Sequence, residues 1–244
     1  MINQNLILNV YKEKKLGSKL STQLLYGEKF SIIKEFKNCL KIKSSYDRYV
    51  GYIRKKKYQT NIVPTHKISV LKADLYSKPN KAFILKKKIS FCSHIKVTNV
   101  NNGFYNFHRY WIKKKDVVEF KDKIKLFKKI KIFKNTKYKW GGNSFKGIDC
   151  SALVQIFYRF NNSYFPRDTK DQIKFFRSAN KITNIKKNSL IYWKGHVAIC
   201  LSSTYLIHAY GPKKKVIIMN IKKIIEEIKN KSKLKVQSII NESN

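Results

Sequence analysis

Tyr138-Lys-Trp-Gly-Gly-Asn-Ser-Phe-Lys-Gly-Ile-Asp-Cys-Ser-Ala-Leu-Val-Gln155 is the stretch on which the reading of this chain turns. An aromatic-Gly-Gly segment leads through a polar loop to Gly147-Ile148-Asp149. Cys150 then opens an apolar run, Ala152, Leu153, Val154, Ile156 and Phe157, which predicts a helix. A cysteine in the first helical turn meets unpaired backbone N–H groups and the positive end of the macrodipole. That setting is expected to favour the thiolate, the nucleophilic form.

Two histidines downstream give this cysteine partners. Gly195-His196-Val197-Ala198-Ile199-Cys200 and Tyr205-Leu206-Ile207-His208-Ala209 read as neighbouring strands joined by Ser202-Ser203-Thr204. A hairpin centred near Ser202 sets His196 directly opposite His208, on one face of the sheet. Cys150 is then the expected nucleophile, His196 the base and acid, and His208 the group that orients His196. His66, His94 and His108 have no such setting. The same three side chains could ligate zinc, but no glutamate stands nearby as a general base. No metal or other cofactor is expected.

Upstream, short alternating segments are broken by turn signals. Leu6–Tyr11, Leu24–Ile33, Cys39–Lys43 and Tyr46–Ile53 suggest a small barrel, with Leu40 and Ile42 on one face. After a linker at Pro64 and Thr65 the pattern resumes, including an alternating strand over Ile95–Val100 and a turn at Asn101-Asn102-Gly103. This reads as a second, diverged copy of the barrel. Apolar residues among lysines over Ile124–Phe133 give an imperfect helical pattern. Thr169 can cap a helix running through Phe175-Phe176. Four strands, a helix over Ile221–Lys229 and a short late strand complete an α+β pattern. The expected organisation is residues 1–62 and 63–121 as two small barrels and 122–244 as the catalytic domain.

Composition sets limits. The chain has 244 residues, 43% of them hydrophobic, so a packed core is within reach. Its four cysteines, Cys39, Cys92, Cys150 and Cys200, lack disulfide-framework or zinc spacing and fit a reducing compartment. The first residues carry no basic stretch ahead of their short apolar run and no small-residue cleavage site, so a cytoplasmic protein is expected. No run approaches a membrane span. The net charge of +40 comes from lysine spread along the whole chain with isoleucine and asparagine. That spread resembles AT-rich codon usage, and no nucleic-acid or membrane partner is expected from it. The remaining effect is a field that attracts acidic ligands.

The segment around Asp149-Cys150-Ser151, with Gly195-His196-Val197 and Leu206-Ile207-His208-Ala209, resembles the NlpC/p60 cysteine peptidases, a circularly permuted papain-like family. The N-terminal barrels resemble the bacterial SH3 domains that often precede it. The resemblance implies an α+β papain-like catalytic domain and hydrolysis of murein stem peptides, at the bond between γ-D-glutamate and the following diamino acid. One branch requires a free N-terminal L-alanine, whose amine is bound by the acid of an Arg-Asp-Ser turn. Arg167-Asp168-Thr169 matches, with threonine in place of serine. In that branch a tyrosine from the first barrel reaches the active site. Tyr49-Val50-Gly51-Tyr52 matches its strand, with Tyr52 where tryptophan is usual and Tyr46 as a rival for Tyr49. The resemblance further implies that Trp140 lines the cleft and that Asp149 and Ser151 meet substrate, while Gly141 and Gly142 allow close backbone approach. Recycling of imported wall peptides is the expected role. An exported wall hydrolase and a non-catalytic SH3-like binder are the alternatives.

Overall fold

Alternation in the N-terminal half becomes antiparallel sheet. The computed structural model describes residues 1–60, 62–176 and 184–241. Two units are present, and the first holds residues 1–123 with the short segments Gly141–Phe145 and Phe160–Asn162. There β1 (Ile7–Tyr11), β2 (Leu20–Leu25), β3 (Phe30–Glu35), β4 (Cys39–Ser44) and β5 (Val50–Arg54) pair in the order β2-β1-β5-β4-β3. Leu40 and Ile42 both point into a core with Val10, Leu24, Phe30 and Ile53. The sequence pattern conceals β2, because it buries Thr22 and Gln23. Gln23 is satisfied by donating to Asn9 Oδ1 at 2.9 Å and accepting from the Asn143 backbone N–H at 2.9 Å.

Eight further strands follow: β6 (His66–Ile68), β7 (Lys72–Tyr76), β8 (Ile84–Ser90), β9 (His94–Ile95), β10 (Asn99–Asn101), β11 (Phe104–Phe107), β12 (Tyr110–Lys113) and β13 (Val117–Glu119). They form a five-stranded sheet, β10-β11-β12-β7-β8, and a three-stranded sheet, β13-β6-β9. Both feed one core containing Ile68, Leu75, Ile89, Ile95, Phe107 and Ile112. The strand expected over Ile95–Val100 is two strands in two sheets. The chain leaves β9 at Lys96, where Thr65 Oγ1 accepts from the Val97 N–H at 2.9 Å, and joins β11 at Thr98. Alternation survives such a crossing, so the pattern alone does not reveal it. Tyr26, just after β2, is buried in this second core edge-on to Phe107, with ring centroids 5.5 Å apart.

The second unit comprises Ile124–Trp140, Lys146–Arg159 and Ser163–Asn244. The helical pattern over Ile124–Phe133 is realised as turns and a 3₁₀ segment at Ile130–Phe133. Phe127 has φ +59°, which ends any α-helix there. Phe127 and Phe133 nevertheless stay buried, each packing edge-on against Phe157. In chain order, β14 (Asn143–Ser144), which belongs to the first unit, and β15 (Gly147–Ile148) precede α1 (Cys150–Phe160) and α2 (Thr169–Phe175). Then come β16 (Leu190–Trp193), β17 (His196–Cys200), β18 (Tyr205–Tyr210), β19 (Lys215–Asn220), α3 (Ile221–Ser232) and β20 (Ser238–Ile240). The sheet order is β19-β18-β17-β16-β20, antiparallel throughout.

Ile221, Ile224 and Ile228 recur at helical spacing along α3 and pack on Ile191, Trp193, Ala198, Cys200 and Leu206. Asn220 caps this helix by accepting from the Lys223 N–H at 3.2 Å. Every residue of α1 is buried, so its run of apolar residues on all sides belongs to an interior helix. No helix among the described residues is long and apolar enough to cross a membrane.

Candidate active site

Asp149 begins the site by fixing where α1 starts. Its Oδ1 accepts from the Ala152 N–H at 2.9 Å, a side-chain N-cap that puts Cys150 at the first helical position. Arg167 then locks Asp149. Its Nη2 donates to Oδ2 at 2.6 Å and its Nη1 to Oδ1 at 3.0 Å, a forked pair with both side chains almost fully buried. Arg167 Nη1 also donates to Ser151 Oγ at 2.9 Å, and Ser151 Oγ donates to Asp149 Oδ1 at 3.2 Å. Gln172, fully buried, donates to the carbonyls of Ser151 and Pro166 at 3.0 and 2.9 Å and so ties α2 to both sides of this network.

Asp149 and Ser151, expected to meet substrate, thus spend their polar atoms holding Arg167 and the helix start. Sequence reading missed Arg167 as their partner. An arginine that follows a proline in a turn, in a chain where lysine is the usual cation, was the available signal.

The thiol faces backbone. Cys150 Sγ lies 3.9 Å from the Gly195 carbonyl, and the N–H groups of Val197 and Ser151 turn toward it. Burial, reinforced by the Asp149 carboxylate, pushes the thiol up to about 12. The N–H groups and the Arg167 guanidinium pull the other way without winning. The expected bias toward thiolate at the helix start is therefore overturned in the resting protein. Desolvation exceeds what the helix end supplies, about 0.3–2 kcal/mol.

His196 follows a two-residue turn, Lys194-Gly195, since Trp193 pairs directly with His196. Gly195 has φ +77°, which glycine adopts without strain. His196 Nε2 lies 2.9 Å from His208 Nδ1. The hairpin register differs from the expected one by two residues: Ile199 faces Ile207 and Cys200 faces Leu206. The histidines are diagonal rather than directly opposed, and the even shift keeps them on one face. Burial pushes His196 down to about 4. Burial and His196 hold His208 well below the ordinary histidine value. Burial thus biases the thiol and both imidazoles toward their neutral forms. His196 Nε2 is engaged by His208, which leaves Nδ1 as the atom to take a proton.

Asp168 is the N-cap residue of α2 by backbone position, while Thr169, expected as the cap, is the first helical residue. The Asp168 side chain makes no capping bond. Burial raises its carboxyl above the ordinary aspartate value, with Arg167 opposing. Trp140 is 57% exposed. Gly141, at φ +69°, belongs to the first unit, where an added Cβ would stand 2.7 Å from the Leu20 carbonyl oxygen. Its freedom serves a close approach within the chain. Tyr49, in the same unit, is half-buried, and its backbone N–H is held by Asp47 Oδ1 at 3.1 Å.

A thiol at the start of a buried helix, with a histidine pair on an antiparallel sheet, supplies the groups that nucleophilic cysteine chemistry uses. Comparison with known proteins identifies two regions. Residues 135–233 match the NlpC/P60 family and residues 10–57 the bacterial dipeptidyl-peptidase SH3 domain. The NlpC/P60 match thus lies C-terminal to the SH3 match. The chain is 27% identical over 231 residues to dipeptidyl-peptidase 6 of Lysinibacillus sphaericus, covering 84% of this chain and 85% of that one. It is 30% identical over 79 residues to murein DD-endopeptidase MepS/murein LD-carboxypeptidase of Escherichia coli K12, covering 30% of this chain and 42% of that one. An NlpC/P60 family protein from Bacillus cereus superimposes with a TM-score of 0.74 at 20% identity, over 91% of this chain and 82% of that one.

The depressed His196 sets a pH dependence. A base at His196 would work only when neutral, and its pKa of about 4 lies below the usual 6.5, so protonation waits until pH falls through that lower value. Peptide hydrolysis is expected to hold from pH 7 down to about pH 5 and to fail below, read as kcat/KM against pH. An acid limb at or above the usual histidine value would contradict this.

Proposed function

We propose that this protein is a cysteine peptidase that cuts the γ-D-glutamyl–diamino acid bond of murein stem peptides with a free N-terminal L-alanine, in cytoplasmic recycling of wall peptides. Cys150 attacks the γ-D-glutamyl carbonyl as His196 Nδ1 takes the thiol proton. His196 gives that proton to the leaving amine. Water, deprotonated by His196, then opens the thioester and releases L-Ala-γ-D-Glu. Backbone N–H groups beside Cys150 hold the oxyanion. The likeness to dipeptidyl-peptidase 6 supports this reading because it runs through both the SH3 and the NlpC/P60 regions.

One observation carries the proposed selectivity: the part-buried Asp168 carboxylate that α2 leaves without a capping bond. The adjacent Arg167 guanidinium is committed to Asp149 and Ser151. An incoming ammonium group would give Asp168 a counter-charge. An acylated N-terminus would leave it bare, which costs about 2–3 kcal/mol or ~10²-fold in rate. Trp140 and Thr169 are assigned to the walls of the cleft.

The test compares L-Ala-γ-D-Glu-diaminopimelate with its N-acetylated form. The wild type is expected to prefer the free amine by about 10²-fold, and Asp168→Asn to abolish the preference by losing the free substrate. Equal wild-type rates on both peptides would remove the amine gate, and activity on intact sacculi alone would remove recycling.

A further inference from the structure

The histidine pair has a weak point. His196 can take a proton on Nδ1 only if its own N–H sits on Nε2, donating to His208 Nδ1. His208 must then carry its proton on Nε2. That nitrogen is fully buried and has no hydrogen-bond partner among the described residues. A catalytic orienter is normally fixed by a partner on its second nitrogen. Here a single hydrogen bond fixes the ring, and a buried imidazole so held is free to adopt the opposite tautomer. In that tautomer His208 donates to His196 and blocks it as a base.

An aromatic ring lies against this imidazole. Tyr210, two residues along β18, lies flat against His208, with centroids 4.7 Å apart and planes 14° from parallel. Tyr210 also stands 5.9 Å from the His196 ring. It is 4% exposed. Its hydroxyl donates to Glu227 Oε1 at 3.4 Å, and Glu227 is paired with Lys231 one turn further along α3. Tyr210 is thereby anchored from outside the site, by a helix that packs on the same sheet face.

We infer that Tyr210 is a positioning residue for the histidine pair: its ring face, stacked on His208, holds that imidazole in the plane and tautomer that leave His196 able to accept the thiol proton. A face-on aromatic supplies no competing acceptor or donor, so it fixes orientation without drawing the His208 proton away. Its electron-rich face also favours the positive charge that spreads over the pair as the thiol ionises. The inference rests on the proposed roles of Cys150, His196 and His208.

Tyr210→Phe and Tyr210→Leu test it. Tyr210→Phe keeps the stack and is expected to retain kcat within about threefold. Tyr210→Leu is expected to lower kcat about tenfold or more at unchanged KM. Nitrogen-15 NMR of the imidazoles, which needs no substrate, is expected to show one His208 tautomer in the wild type and Tyr210→Phe, and a mixture in Tyr210→Leu. Thermal unfolding checks that each variant folds, and Tyr210→Met replaces Tyr210→Leu if that variant does not. A Tyr210→Leu protein with wild-type kcat and a single tautomer overturns the inference. So does a rise in KM alone, or a Tyr210→Phe protein as impaired as Tyr210→Leu. A wild type inert on murein peptides, whose tautomers still respond, would remove the substrate assignment and leave the positioning role standing.

Discussion

Cys150→Ala is expected to reduce hydrolysis of the free tripeptide by about 10⁴-fold or more while leaving the thermal unfolding midpoint close to wild type. The size follows from the chemistry. Without the thiol no thioester forms, and His196 has nothing to deprotonate in the first step. The stability expectation follows from the site. Cys150 occupies the first position of α1, but the cap belongs to Asp149 and the interior packing to Ala152, Leu153, Ile156 and Phe157. Hydrolysis that survives the substitution would show that another group is the nucleophile. The three remaining cysteines are all buried, which gives the test a clean background.

Arg167→Ala is expected to produce the largest loss of stability, about 3–5 kcal/mol, read as a lower urea midpoint with unchanged slope. The cause is the group left behind. Asp149 would remain buried without its forked counter-ion. Arg167→Lys keeps the charge but loses the fork, so it is expected to fall between the two. Activity should drop with stability in both variants, because Asp149 sets the first turn of α1 and with it the place of Cys150. A loss under about 1 kcal/mol would show the pair to be worth no more than a surface ion pair.

The two predictions stand in different relation to the sequence. Cys150 could be read there because its signals are local: a glycine-rich approach, an acidic residue, then an apolar helix. His196 and His208 could be read because strands announce themselves by alternation and short turns. The register between them was off by two residues, since the turn that fixes it has no glycine or proline to pin its centre. Parity saved the conclusion, because an even slip keeps side chains on the same face.

Arg167 was harder. It lies 18 residues from Asp149 in sequence, and nothing local marks a bidentate pair across that distance. The same reason hid β2, whose polar Thr22 and Gln23 are buried among partners that only the fold supplies. Ile124–Phe133 misled in the opposite sense. Its apolar spacing reflects burial of Phe127, Ile130 and Phe133 beneath turns, and the left-handed backbone at Phe127 is invisible to periodicity. The state of the thiol was misread because a helix end is a local feature, while desolvation is set by everything packed around it.

The central claim is the bond that is cut, and identification of the products tests it most directly. L-Ala-γ-D-Glu-diaminopimelate incubated with the wild-type protein should yield L-Ala-γ-D-Glu and free diaminopimelate by mass spectrometry, and neither product with Cys150→Ala. Release of free L-alanine instead, or an intact tripeptide in the presence of folded wild-type protein, would contradict the account.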